Sequence, residues 1–260
     1  MDLQDREVVN HMSTLGNWME QKGIVAYKVF SATDASDLPT GWTDPTKFTL
    51  DGVVFYDGKE MILFTDVVHQ LLVKEKSTKT MNLDQLQEWL DVRFRADKGP
   101  YRLIGYGSKK FDAPLLRSKY NVPISAKDVD YAQIVKDASE KHYGDYGRRY
   151  DIRNLAYANQ KKQTAIPHLS FLFTPLAMYA EWQRGLERNV LRTLAAEVEL
   201  IAELFCSTIV KEELKIKDER TERSVVVQCD FVRDISIYEF GDQDEDPLTL
   251  SYLDRLSEDE

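Results

Sequence analysis

The run IVAYKVFSA at residues 24–32 constrains this chain more than any other stretch. Apolar and aromatic side chains follow one another with Lys28 as the single charge among them. A strand apolar on both faces belongs at the centre of a sheet that is covered on both sides. Two similar runs follow, TLDGVVFYDG and KEMILFTD, joined at Asp57-Gly58, which reads as a two-residue hairpin turn. The spacing therefore predicts a mixed sheet with Ile24 to Ala32 at its centre. That strand should lie antiparallel to the hairpin and parallel to a short strand in YRLIGYG, which starts at Tyr101.

Helical periodicity fills the intervals. Val8, Val9, Met12, Leu15, Trp18 and Met19 recur at three- and four-residue spacing over residues 1–22, and Gly23 ends the pattern. Leu83, Leu86, Leu90 and Phe94 repeat the pattern behind Asn82, a plausible N-cap. SKKFDAPLLRSKY opens another helix, and a short extended piece at Asp128 to Asp130 leads into one running through Lys141. The Gly/Tyr-rich EKHYGDYGRRY reads as a loop, and YDIRNLAYANQ as a helical turn or two with Leu155 and Ala156 inward. The longest helix, from about Glu187 to Val210, presents Val190, Leu194, Val198, Ile201, Leu204 and Phe205 on one side. SVVVQC and FVRDISIYEF read as a terminal β pair. Strands and helices alternating in this way make an α/β layer fold. Four parts are expected: an N-terminal helix (1–23), an α/β body (24–209), a terminal β segment (210–240) and an acidic tail (241–260).

Charge separates the tail from the rest. Of a net −10, residues 241–260 contribute −7, eight acids against Arg255, which leaves −3 for the other 240 residues. No basic footprint of a duplex-binding protein is present. No run reaches the roughly 18 to 20 apolar residues of a membrane helix, and the mean hydropathy is −0.44. MDLQDREVVN lacks the layout of a secretory signal. Cys206 and Cys229 cannot on their own build a disulfide framework or a four-ligand zinc site and read as buried small hydrophobes. The expected setting is intracellular, cytoplasm or nucleus. His11, His69, His142 and His168 are scattered without metal spacing, and no phosphate loop, serine elbow or HExxH motif occurs.

Over roughly residues 24–209, five segments stand in an order that resembles a DEDD 3′–5′ exonuclease domain: IVAYKVFSATDASDLPTGW, TLDGVVFYDG, YRLIGYGSKKFDAPLL, YDIRNLAYAN and MYAEWQRGLERNVLRTLAAEVELIAELF. The most specific piece is IGYGSKKFDAPLL, where the family has a strand, a tight turn and Phe-Asp at the start of a helix. The resemblance implies a ribonuclease H-like fold, a mixed five-stranded sheet with flanking helices, here with a C-terminal β appendage. It also implies two-metal phosphodiester hydrolysis, which needs carboxylates converging on two divalent ions about 3.5–4 Å apart.

Carried over residue by residue, the family's chemistry is mostly missing. The Asp-x-Glu pair of the first strand falls on Lys28 and Phe30. The Phe-Asp acid is Asp112, the last-helix acid falls on Glu197, and the water-positioning Tyr or His on Thr193. Asp112 and Glu197 are thus the vestigial catalytic residues, and the metal ligands if metal binds at all. An ammonium at Lys28 repels cations and can instead pair with Asp112. Asp34 and Asp37 lie nearby, but a spacing of three does not put both on one strand face. Asp130 stands where the family often carries an acid and reads equally well as a helix cap.

The expectation is a degenerate family member that binds rather than cuts, without a cofactor, through a protein partner or self-association. The N-terminal helix and C-terminal appendage are the expected contact surface. Single-stranded RNA or DNA is a further candidate ligand: Lys109, Lys110, Arg148, Arg149, Lys161 and Lys162, interleaved with Tyr106, Tyr143, Tyr146 and Tyr150, would border one cleft. The alternative is an active 3′–5′ exonuclease with a divergent carboxylate set and Mg²⁺ or Mn²⁺.

Overall fold

The computed structural model describes residues 15–67, 78–143, 151–159, 175–217 and 223–240. The chain enters on helix α1 (residues 15–22) and continues through strands β1 (Ile24–Phe30), β2 (Gly52–Tyr56), β3 (Met61–Phe64) and β4 (Thr78–Met81). Helix α2 (Leu86–Arg93), β5 (Tyr101–Gly105), α3 (Asp112–Lys119), β6 (Ala126–Asp130), α4 (Tyr131–Tyr143) and α5 (Ile152–Ala158) follow. The last elements are α6 (Pro175–Gln183), α7 (Glu187–Lys211), β7 (Glu213–Lys217), β8 (Ser224–Gln228) and β9 (Glu239–Phe240). Short 3-10 turns fill the loop between β1 and β2, where the Asp34 and Asp44 side chains accept from the backbone N–H of Ser36 and Thr46.

The main sheet runs β4-β3-β2-β1-β5-β6-β9, six strands of four residues or more and a two-residue seventh. β1 is central, antiparallel to β2 and parallel to β5, as its two-sided apolar sequence requires. Alternation divides its side chains between two cores. Ile24, Ala26 and Phe30 face one cluster with α7, while Val25, Tyr27 and Val29 face another built with α2 and α3. Lys28 falls on the α7 side of the strand. Val190, Leu194, Val198, Ile201, Leu204 and Phe205 of α7 are all buried, as is every member of the α2 stripe, and both cysteines are buried thiols outside any disulfide. No helix among the described residues is long and apolar enough to cross a membrane.

Four details differ from the sequence reading. The sheet has more than five strands, because the polar TKTM of β4 pairs in parallel with β3 at one edge and β9 pairs with β6 at the other. Neither carries an alternating pattern that would mark it. The partner of SVVVQ is the preceding ELKIK, not FVRDISIYEF. Leu214 and Ile216 point into the core from β7, and the later segment forms two 3-10 turns before β9. Finally, four residues join β2 to β3. Tyr56 pairs with Met61, and the Asp57 carboxylate accepts from the N–H groups of Lys59 and Glu60. Of the N-terminal periodic segment, residues 1–14 lie outside the described residues.

Gly58 in that turn has φ of +88°, and a Cβ on it would sit 2.7 Å from the Gly16 Cα and 2.9 Å from the Met19 sulfur. α1 therefore packs on the hairpin through a glycine-to-glycine approach. Gly58→Ala is expected to cost about 2–3 kcal/mol in urea denaturation, from backbone strain and the lost seating of α1.

Candidate functional site

At the carboxyl end of β1 the sheet brings Lys28, Asp112 and Glu197 together. Lys28 reaches from β1, Asp112 from the first turn of α3, and Glu197 from the middle of α7. Lys28 Nζ lies 2.9 Å from Asp112 Oδ2 and 3.8 Å from Glu197 Oε1. It also donates to the Tyr106 carbonyl at 3.5 Å. Both carboxylates are nearly sealed, Asp112 at 1% and Glu197 at 5% exposure. The Lys28 side chain is 17% exposed, so the cluster touches solvent through the ammonium.

The geometry is that of a cation between two acids rather than a well-aligned hydrogen-bonded pair. Both Asp112 oxygens and Glu197 Oε2 are buried without a hydrogen-bond partner among the described residues. Burial works against the Lys28 charge, but the Asp112 and Glu197 carboxylates outweigh it and hold the ammonium protonated. Burial pushes Asp112 up to about 6, with Lys28 pulling back and Glu197 and Asp130 adding to the rise. Glu197 also rises through burial, opposed by Lys28. Lys28 rises because two acids outweigh its burial, and the acids rise because burial outweighs their shared cation.

The other two positions carried over from the family are apolar or self-satisfied. Phe30 is 3% exposed, and its ring centroid lies 4.8 Å from that of Trp182. Thr193 is fully buried and its hydroxyl donates to the Asn189 carbonyl of its own helix at 2.8 Å. Asp130 has structural work. It accepts from the N–H groups of Gly107 (2.7 Å), Lys109 (3.2 Å) and Ala132 (2.9 Å), and so ties the turn before α3 to the start of α4. Asp34 is engaged with Ser36 in its own turn and Asp37 is exposed.

Sequence reasoning missed a further buried acid. Asp128, 1% exposed, accepts from the Tyr27 hydroxyl and from Ser108 Oγ at 3.2 Å. Burial pushes its carboxyl up to about 7, against the pull of the Tyr27 hydrogen bond and of Arg117. Its signal was the alternation in AKDVD, which puts Asp128 beside Leu103 on β5, facing the α2 and α3 core. Ser108 can tuck beneath the sheet because Gly105 has no Cβ, which would lie 2.3 Å from the Ser108 Cβ.

Of the basic and aromatic candidates, Lys110 is exposed at the end of the 3-10 turn, and Lys109 is half-buried with its N–H on Asp130. Tyr106 is half-buried, its ring edge-on to Tyr131. Tyr146, Arg148, Arg149, Tyr150, Lys161 and Lys162 lie outside the described residues. His142 is exposed; His11, His69 and His168 also lie outside the described residues.

A two-metal centre does not fit this arrangement. Asp112 and Glu197 have suitable oxygens, but the Lys28 ammonium stands between them, and Phe30, where the resemblance implies a further acid, is a buried apolar side chain. Among the described residues no three histidine, cysteine or acidic side chains converge as a metal site. No family model matches the chain, and no curated protein sequence matches it.

Proposed function

We propose that this chain is a degenerate ribonuclease H-like domain of the DEDD exonuclease type that acts by binding rather than by phosphodiester hydrolysis. The observation that carries this reading is the Lys28 ammonium, 2.9 Å from Asp112 and 3.8 Å from Glu197. It supplies within the protein the positive charge that two carboxylates would otherwise take from metal. The order β3-β2-β1-β5-β6, with β1 central and β5 and β6 parallel to it, is compatible with that fold.

Binding would fall to the parts outside the body: α1 on the hairpin, the β7-β8 ribbon, and the segment that follows β9. A protein partner or a second copy suits these surfaces, and single-stranded nucleic acid remains a candidate ligand for the rim at Lys110. The competing reading, an active exonuclease with a divergent acid set, draws on Asp112 Oδ1 and Glu197 Oε2, which have no hydrogen-bond partner among the described residues.

An assay of the full chain on 3′-labelled single-stranded RNA and DNA, in Mg²⁺ and in Mn²⁺, separates the two. The expected result is no metal-dependent loss of the label beyond that of Asp112→Asn. Metal-dependent release of the 3′ label that Asp112→Asn abolishes would establish the enzyme instead.

A further inference from the structure

We propose that the acidic C-terminal segment, residues 241–260, docks on this chain's own surface, over the ring of Trp42 and the lysines around it. This goes beyond the binding role above and does not depend on it. Trp42, in the loop after β1, is 53% exposed, although its ring sits in an aromatic cluster. Its centroid lies 5.2 Å from that of Phe48 and 5.7 Å from that of Phe111, and these two stand 5.1 Å apart, edge to face. The cluster fixes the indole as a rigid platform with one side open. Such a platform favours a partner because little side-chain entropy remains to be lost.

The rim of the platform is basic. Lys47 precedes Phe48, Lys110 precedes Phe111, and Lys119 at the end of α3 donates to the Thr46 carbonyl at 3.2 Å. All three are exposed, and Asp44 in the same loop is turned to Thr46. The occupant that matches should therefore be apolar and acidic together. Residues 241–260 have that character: Leu248, Leu250, Tyr252, Leu253 and Leu256 stand among eight acids. Tyr252, Leu253 and Leu256 cover the indole, and the acids face Lys47, Lys110 and Lys119.

The segment is long enough. β9 pairs Phe240 with Asp128, and β1, β5 and β6 are neighbours, so the platform lies three strand spacings away. β9 runs antiparallel to β6, so the chain leaves it toward the starting ends of β5 and β6, and a strand length of about 17–23 Å adds to the roughly 15 Å across the sheet. Twenty residues reach about 66 Å when extended, so roughly the first ten serve as tether and the stretch with Tyr252, Leu253 and Leu256 as ligand. Tethering gives an effective concentration on the order of millimolar, so a contact too weak to hold between separate molecules still forms within one.

Zero-length carbodiimide crosslinking of the full chain, read by mass spectrometry on an equal mixture of ¹⁴N and ¹⁵N protein, tests the proposal. The expected products join Asp or Glu of residues 242–260 to Lys47, Lys110 or Lys119 within single-isotope molecules. Their yield should fall at least about fivefold in 0.5 M salt, where exposed pairs are screened, and in the full-length variant Leu253→Ser/Leu256→Ser. Acrylamide quenching of tryptophan fluorescence should rise in that variant. A Trp42→Phe background, which keeps an aromatic ring in the cluster, should erase the rise. Crosslinks from the segment only to other lysines, crosslinks only between isotopes, or quenching unchanged by the leucine substitutions would overturn it.

Discussion

Replacing Lys28 with methionine is expected to destabilise the chain by about 3–5 kcal/mol near neutral pH, because it leaves two buried carboxylates without their cation. Methionine keeps the volume and apolar stem, so the loss reports the charge. Among the described residues no other cation lies within ion-pair distance of Asp112 or Glu197. The pH dependence gives the effect its signature. Both acids sit above their ordinary values, Asp112 at about 6. The folded chain therefore holds more protons than the unfolded one between about pH 4 and 6. This contribution to stability is complete at low pH and lost as pH rises through the folded value. Without Lys28 both acids rise further and the window moves up. Urea denaturation should thus show a large penalty for Lys28→Met at pH 8 and a clearly smaller one at pH 5. Equal penalties at the two pH values would mean that the ammonium contributes packing alone.

Phe30→Glu is expected to cost about as much, roughly 3–5 kcal/mol at pH 7, by removing a core aromatic and burying a carboxylate in its place. Phe30 is 3% exposed against Trp182, in the cluster that also holds Val190, Leu191 and Leu194 of α7. The acid that the family resemblance calls for at this position cannot simply be restored. The double variant Lys28→Asp/Phe30→Glu would gather four acids in one cleft and should lose cooperative thermal unfolding in metal-free buffer. A double variant that folds as well as the parent would show that the site had kept room for an acidic centre.

The fold was legible where one pattern had one explanation. IVAYKVFSA is apolar on both faces, and β1 is central; the α7 stripe keeps its period from Val190 to Phe205, and its inward face is buried. The missed strands are those whose side chains do not set their place. β4 exposes Lys79 and Thr80, and β9 is two residues long, held by Glu239 against Arg102 at 2.7 Å and Lys127 at 3.2 Å. Edge strands owe their place to backbone pairing, which leaves little mark on residue type. At the site, the meeting of Lys28 with both Asp112 and Glu197 was expected from the alignment of motifs, whereas the distances between them depend on how α3 and α7 cross β1. The Tyr27–Asp128–Ser108 network joins three elements over a span of 101 residues. No local period could announce it. The platform at Trp42 likewise comes from a loop and α3 meeting in space.

Titration calorimetry of the full chain with Mn²⁺, beside Asp112→Asn, tests the central claim most directly. If the Lys28 ammonium holds the place of the metal, the two proteins should give the same heats, with no saturable site up to about 1 mM Mn²⁺. One or two Mn²⁺ ions bound by the parent chain with micromolar affinity, and lost in Asp112→Asn, would contradict it.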